Sequence, residues 1–296
     1  MEPIKIFEVG PRDGLQNEQE FISTEDKVQL ISLLAQAGVS HIEATSFVHP
    51  KWIPQLADAK EVASRLPQAE RVHYSALVPN IKGLGGAAEA GLREIAVFMS
   101  ASETHNQKNI NKPIGETFPI LQEVVEKAGA KGMKVRGYVS TVFGCPYEGE
   151  VSIESVIRVT GELLSMGVYE VSLGDTIGVA TPKQVKEKLE ILIQHFPTER
   201  LAGHFHDTRG TGLANVYASL EAGLRTFDSS IGGLGGCPYA PGASGNISTE
   251  DLVYMLEGMG LSTGIDLEKL VKAGSFMQER LGRKLPSKVL AASLAQ

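Results

Sequence analysis

One pattern recurs from end to end of the chain: a short β-branched run, a polar or Gly-rich loop, then an amphipathic stretch. The strand-like runs are Ile4–Val9, His41–Ser46, Val72–Val78, Glu94–Met99, Val135–Val142, Glu170–Leu173, Leu201–Phe205 and Thr226–Ile231. The helical stretches between them carry their own punctuation. Thr24–Ala37 opens on Thr24 as the expected N-cap, followed by Glu25 and Asp26, and stops at Gly38. Ser152–Met166 stops at Gly167 and Gly212–Glu221 at Gly223, while Thr181-Pro182 starts a helix with proline in its first position. Eight such units in 296 residues predict the α/β class and a closed (β/α)8 TIM barrel. An open doubly wound sheet has fewer strands and a nucleotide-binding glycine fingerprint after the first. Gly10-Pro11-Arg12-Asp13-Gly14 stands there instead. The expectation is one catalytic domain over 1–296. The barrel takes about 1–260, and a further C-terminal helix, Leu267–Leu281, lies in an extension over about 265–296.

Composition narrows the function classes. Hydrophobic residues are 42% and charged residues 21%, which excludes a disordered or rod-like chain. The net charge is −7 with Lys and Arg scattered, so neither nucleic acid nor an anionic membrane is an expected partner. No apolar run is long enough to span a bilayer. Two cysteines, Cys145 and Cys237, make no disulfide framework. With no charged leader at Met1–Lys5, a cytoplasmic location is expected.

In such a barrel the chemistry lies at the C-terminal ends of the strands. Reading those ends collects Glu8, Arg12 and Asp13; Glu43 and Ser46; Tyr138, Ser140 and Thr141; Asp175 and Thr176; His204, His206 and Asp207; and the run from Gly232 to Pro238, with Asn246 and Glu250 beyond it. His204-Phe205-His206 is the sharpest local signal, because residues two apart on a strand share a face. Two structural histidines bonded to carbonyls are the bland alternative. Asp13 and Asn246 on neighbouring strand ends favour a metal. Two nitrogens, a carboxylate and an amide oxygen suit Mg²⁺ or Mn²⁺ with waters retained, and Zn²⁺ or Co²⁺ less specifically. In the tight turn at 10–14, Asp13 would bind the cation and Arg12 developing negative charge. Cys237 sits among Gly and Pro in a loop able to close over a site. Cys145 reads as a small buried hydrophobe.

Several segments resemble the 3-hydroxy-3-methylglutaryl-CoA (HMG-CoA) lyase family. They are Glu8–Glu18 with its Arg-Asp-Gly-Leu-Gln-Asn-Glu, Thr45–Val48, Phe98–Glu103, Ser172–Gly178, and Ser229–Gly242 with its Gly-Gly-Cys-Pro. Gly203–Thr208 is similar to the wider metallolyase and synthase superfamily. The resemblance implies cleavage of HMG-CoA to acetoacetate and acetyl-CoA by a retro-Claisen step, as in leucine catabolism, with Mg²⁺ or Mn²⁺ as cofactor. Carried over by position, Asp13, His204, His206 and Asn246 match the metal ligands, and Arg12 and Cys237 match catalytic residues. Glu43, Asp175 and Glu250 match supporting acids, Glu43 and Asp175 being counted with the catalytic set. The resemblance also implies an acyl-CoA substrate as partner and a homo-oligomer, dimer or tetramer. With no P-loop pattern, the CoA moiety is expected across the barrel mouth, on Asn109, Asn111 and Lys112 in the loop after the fourth strand.

Other readings share parts of this pattern. Lyases of longer branched 3-hydroxyglutaryl-CoA esters would use the same rim. An acetyl-CoA-dependent synthase would share the histidines and the Arg-Asp pair, but usually carries a further C-terminal domain. A non-haem iron oxygenase would use two His and a carboxylate and would consume oxygen. A non-catalytic metal scaffold would need neither the arginine nor the thiol.

Overall fold

Eight parallel strands pair in chain order and the last closes on the first: β1 (Lys5–Glu8), β2 (His41–Ser46), β3 (His73–Leu77), β4 (Glu94–Ser100), β5 (Lys134–Ser140), β6 (Val171–Asp175), β7 (Leu201–Phe205) and β8 (Thr226–Ser229). The structure, a computed structural model, describes residues 3–237 and 240–295; for Cys237 and residues 240–244 it describes the backbone alone. β1 pairs with β2 through Phe7↔His41 and with β8 from Lys5↔Thr226 to Glu8↔Ser229, so no barrel strand is left with an open edge. A short antiparallel pair, β9 (Gly236–Cys237) and β10 (Ala240–Ser244), stands beyond the end of β8.

The helices are α1 (Thr24–Gln36), α2 (Ala59–Ser64), α3 (Ile81–Glu89), α4 (Glu103–Ile110), α5 (Ile114–Ala130), α6 (Ile153–Ser165), α7 (Pro182–His195), α8 (Gly212–Glu221), α9 (Thr249–Gly258), α10 (Leu267–Leu281) and α11 (Lys288–Leu294). Their ends follow the local chemistry. Thr181 caps α7 and Pro182 takes its first position, where a missing N–H costs nothing. The cap of α1 is Ser23 rather than Thr24: the Ser23 hydroxyl accepts from Asp26 N, while Thr24 Oγ1 donates to Asp58 Oδ2 at 2.8 Å. Gly38, Gly167 and Gly223 end α1, α6 and α8 at φ of 95°, 106° and 103°, a backbone turn that side chains disfavour.

Two interiors result. A large apolar layer lies between sheet and helices, with Ile6, Ile42, Val97, Val139, Leu173 and Phe205 facing outward from the strands. Inside the barrel the apolar part is small, Leu77, Ala96, Tyr138 and the edge of Phe98. Beside it the lumen holds a buried charged network. Arg136, 1% exposed, bonds Glu170 and Asp228 at 2.8 Å each and stacks on Phe7, and Lys5 reaches Glu170 at 2.6 Å. Beyond the barrel, α10 packs on α1, and Ser287 N donates to Gly232 O at 3.1 Å. The C-terminal extension thereby braces the glycine segment after β8 from outside.

Candidate active site

β7 delivers the two histidines. Gly203 and His204 register with Phe227 and Asp228 of β8, and His206, just past the strand, bridges to Asn246. Phe205 turns the other way, against Phe143, so His204 and His206 share one face with ring centroids 5.3 Å apart. After β1 the chain makes one widened helical turn over Gly10–Gly14, held by bonds from Asp13 N to Val9 O at 2.7 Å and Leu15 N to Gly10 O at 3.0 Å. This turn lifts Arg12 and Asp13 onto the same rim. Glu8 ties it to the glycine segment: Gly10 N and Ile231 N both donate to Glu8 Oε1, at 2.7 and 2.9 Å, and the Thr249 hydroxyl donates to Oε2.

Asp13, His204 and His206 each bring a ligand atom within 4.8 Å of the others. Burial would raise the Asp13 pKa, but the charges of Arg12, His204 and His206 more than reverse it and hold the carboxylate at about 2. Burial, with the neighbouring His204, pushes His206 down to about 4, so its imidazole is neutral at pH 7. Burial would also lower His204, but Asp228 overrides it and shifts the group up. Among the described residues the buried Nδ1 of His206 has no hydrogen-bond partner. The neutral His206 imidazole with its orphaned ring nitrogen, the ionised Asp13 carboxylate and the His204 ring beside them make a donor set that fits a divalent cation. Asn246 closes the group, its Nδ2 donating to Asp13 Oδ2 at 2.8 Å and to Leu234 O at 3.2 Å. Gly235 is required beside it: its φ is 116°, and a Cβ there would lie 2.8 Å from Asn246 Nδ2.

Arg12 is clamped rather than free. Its Nη1 bonds Asp13 Oδ1, and its Nε bonds Glu43 Oε1 in a close contact. The Tyr138 hydroxyl donates to the other Glu43 oxygen at 3.0 Å, and the Tyr138 ring lies 5.6 Å below the guanidinium. Glu43 therefore aims Arg12 from the fully buried wall. Asp175 is also fully buried and does not line the cavity; it accepts from Val179 N and Ala180 N and so shapes the β6–α7 loop, with burial raising it to about 6 against those bonds. Glu250, on the first turn of α9, accepts from Gly232 N at 2.8 Å and Ser248 Oγ at 3.0 Å, holding the glycine segment from behind. The Cys237 side chain lies outside the described residues. Cys145 is a buried free thiol bonded to Ser102 Oγ at 3.0 Å, as its surroundings in the sequence suggest.

Burial raises Glu250 to about 8, and among the described residues its Oε1 has no hydrogen-bond partner. The folded protein thus keeps a proton there that the unfolded chain releases near pH 4.5, so this group makes stability fall as pH rises from about 4.5 to 8. Glu250→Gln keeps the acceptor oxygen and removes the ionisation. Its melting temperature relative to wild type should rise steadily between pH 5 and pH 8, and a pH-independent difference would contradict this.

Arg12, Asp13, Tyr138, His204 and His206 line a cavity of about 590 Å³ whose outer part is walled by Trp52, Lys108, Asn109 and Asn111. The expected coenzyme loop is therefore corrected: Asn109 and Lys108 lie on helix α4, and Asn111 is its left-handed C-cap at φ 60°. Lys112 is not in the wall and instead approaches Glu116 at 3.8 Å. Helix α4 carries Lys108 into the wall, whereas Lys112 lies past the left-handed end of that helix.

Against known proteins, the HMGL-like family model matches residues 3–277. The hydroxymethylglutaryl-CoA lyase of Bacillus subtilis is 55% identical over 287 residues, covering 97% of this chain and 96% of that one. The chain belongs to the hydroxymethylglutaryl-CoA lyase family. The crystal structure of the Bacillus subtilis HMG-CoA lyase superposes with a TM-score of 0.98 at 54% identity over 99% of each chain. An HMG-CoA lyase from Acinetobacter baumannii, solved with coenzyme A and 3-methylmalate, gives 0.93 at 43% identity, over 98% of this chain and 95% of that one. The lyase family is metal-dependent. Three members of this lyase site were not singled out in the sequence. Gln16 donates to Asp13 Oδ1 at 3.1 Å, Trp52 stands 69% exposed at the mouth, and Asp228 bonds His204 from the neighbouring strand. Gln16 lies within Glu8–Glu18 and Asp228 directly before Ser229–Gly242, and inward alternation along β8 is the signal that picks out Asp228.

Proposed function

We propose that the chain cleaves HMG-CoA to acetoacetate and acetyl-CoA at this rim, with Mg²⁺ or Mn²⁺ held by Asp13, His204, His206 and Asn246. The observation that carries the reading is the convergence of Asp13, His204 and His206 beside the clamped Arg12 in one cavity, in a chain of this family. A bound cation supplies Lewis acidity, lowering the pKa of the substrate's tertiary hydroxyl. As placed, Asn246 faces Asp13 with its amide nitrogen, so ligation by Asn246 takes the amide turned over.

The chain's own groups do the rest. A base on the rim removes the hydroxyl proton. The oxygen's electron pair forms the ketone, the adjacent carbon–carbon bond breaks, and its pair passes to the thioester enolate. Arg12, fixed by Glu43 and Asp13, offers a guanidinium to the enolate oxygen. Cys237 returns a proton to the enolate carbon as an un-ionised thiol. The CoA arm leaves past Lys108, Asn109 and Trp52, whose cation, amide and ring suit a phosphorylated adenosine with a pantetheine stem. Among the described residues no helix is long and apolar enough to cross a membrane; we assign the reaction to the cytoplasm, in keeping with the unpaired thiol of Cys145.

The test is turnover of HMG-CoA by metal-stripped and Mg²⁺-reconstituted protein. Equal amounts of acetoacetate and acetyl-CoA from the loaded protein only are expected; free CoA with intact acyl acid would contradict the reading. At the mouth, Lys108→Ala should raise KM several-fold with kcat unchanged, the mark of uniform binding. Lys112→Ala should change neither, and the reverse ranking would displace α4 from the coenzyme path.

A further inference from the structure

We infer that Asp228, which lies outside the cavity wall, is a positioning residue that fixes His204 as its Nδ1–H tautomer and so leaves the Nε2 lone pair for the divalent cation. The inference rests on the metal reading above. Its observations are separate ones. Asp228 is 1% exposed and uses both oxygens: Oδ1 accepts from Arg136 Nη2 at 2.8 Å, and Oδ2 accepts from Ser172 Oγ at 2.6 Å and faces His204 Nδ1 at 3.1 Å. An ionised carboxylate only accepts, so the proton in the contact with His204 belongs to Nδ1.

The carboxylate stays ionised because of the lumen. Arg136 Nη2 and the Ser172 hydroxyl donate to its two oxygens at 2.8 and 2.6 Å, and both oxygens therefore act as acceptors. Arg136 cannot swing away, being bonded to Glu170 at 2.8 Å and seated 3.9 Å from the Phe7 ring centroid. The two histidines therefore differ. His204 is oriented from behind by a charged network that reaches across the barrel to Lys5, whereas among the described residues His206 Nδ1 has no such partner. Metal-binding imidazoles are commonly set in this way by an outer carboxylate.

Asp228→Asn tests the assignment. Arg136 only donates, so it takes the amide oxygen and leaves the amide nitrogen facing His204. That nitrogen also donates, which drives the His204 proton to Nε2. Two readouts follow, neither of them activity. Histidine ¹⁵N shifts of the metal-free wild type, on the alkaline side of the His204 titration, should show Nδ1 protonated and Nε2 bare, inverted in the variant. Mn²⁺ affinity by equilibrium dialysis should fall roughly 10–100-fold in the variant. A folded Asp228→Asn protein with wild-type Mn²⁺ affinity overturns the inference while leaving the metal reading intact. Wild-type protein that binds no Mn²⁺ overturns both. If the variant does not fold, the wild-type tautomer decides, and a proton on Nε2 refutes the assignment.

Discussion

Replacing His206 with alanine is expected to abolish turnover by removing the cation. His206 is a neutral imidazole at pH 7, because burial and His204 hold it near 4, and so no proton has to be displaced when it ligates. Among the described residues its Nδ1 has no hydrogen-bond partner, so removing the ring breaks no hydrogen bond at that atom. The Mn²⁺ affinity of His206→Ala should drop by more than the roughly 10–100-fold typical of outer-shell changes, with the melting temperature of the metal-free protein nearly unchanged. Chelation of the wild type by EDTA should produce the same inactive state, reversed by Mg²⁺ or Mn²⁺. Full activity in metal-free protein would remove the cation from the account.

The second large effect belongs to Arg12. Arg12→Gln should lower kcat by about 10²–10³-fold, the scale of a lost oxyanion donor, with KM little altered. The same change strands Glu43, which is fully buried and paired with Arg12. Breaking a buried pair from one side costs about 3–5 kcal/mol, so loss of stability alone could mimic loss of catalysis. The double variant Arg12→Gln, Glu43→Gln separates the two. It should recover most of the melting temperature and none of the kcat. Recovery of kcat along with stability would make Arg12 a structural residue only.

The sequence announces the fold because the repeat is long and its punctuation is local. Each strand-like run and each helix-ending glycine is decided by neighbours within a few residues, and α10 appears at its expected bounds, Leu267–Leu281. The histidine pair is legible for the same reason: a period of two on a strand states which face each ring takes. What escaped was set by distant parts of the chain. Thr24 and Ser23 are both good caps, and the choice fell to Ser23 because Asp58, 34 residues from Thr24, takes the Thr24 hydroxyl. Lys108 and Lys112 are equally plausible until α4 is known to end at Asn111 in a left-handed turn. Glu43 and Asp175 enter the catalytic set through the family resemblance, which says nothing of what they touch. In the fold one is tied to Arg12 and Tyr138 and the other to two backbone amides. Asp228 was hidden in an ordinary strand, its meaning fixed only by the register that sets it beside His204.

The central claim is that this rim breaks a carbon–carbon bond by way of a thioester enolate. The most direct measurement is mass spectrometry of both products after the Mg²⁺-loaded protein acts on HMG-CoA in D₂O. The account predicts acetoacetate together with acetyl-CoA that has gained a single deuterium in its methyl group, delivered when the enolate is protonated. Acetyl-CoA without deuterium, or any product set that keeps the six-carbon acyl skeleton whole, would contradict it.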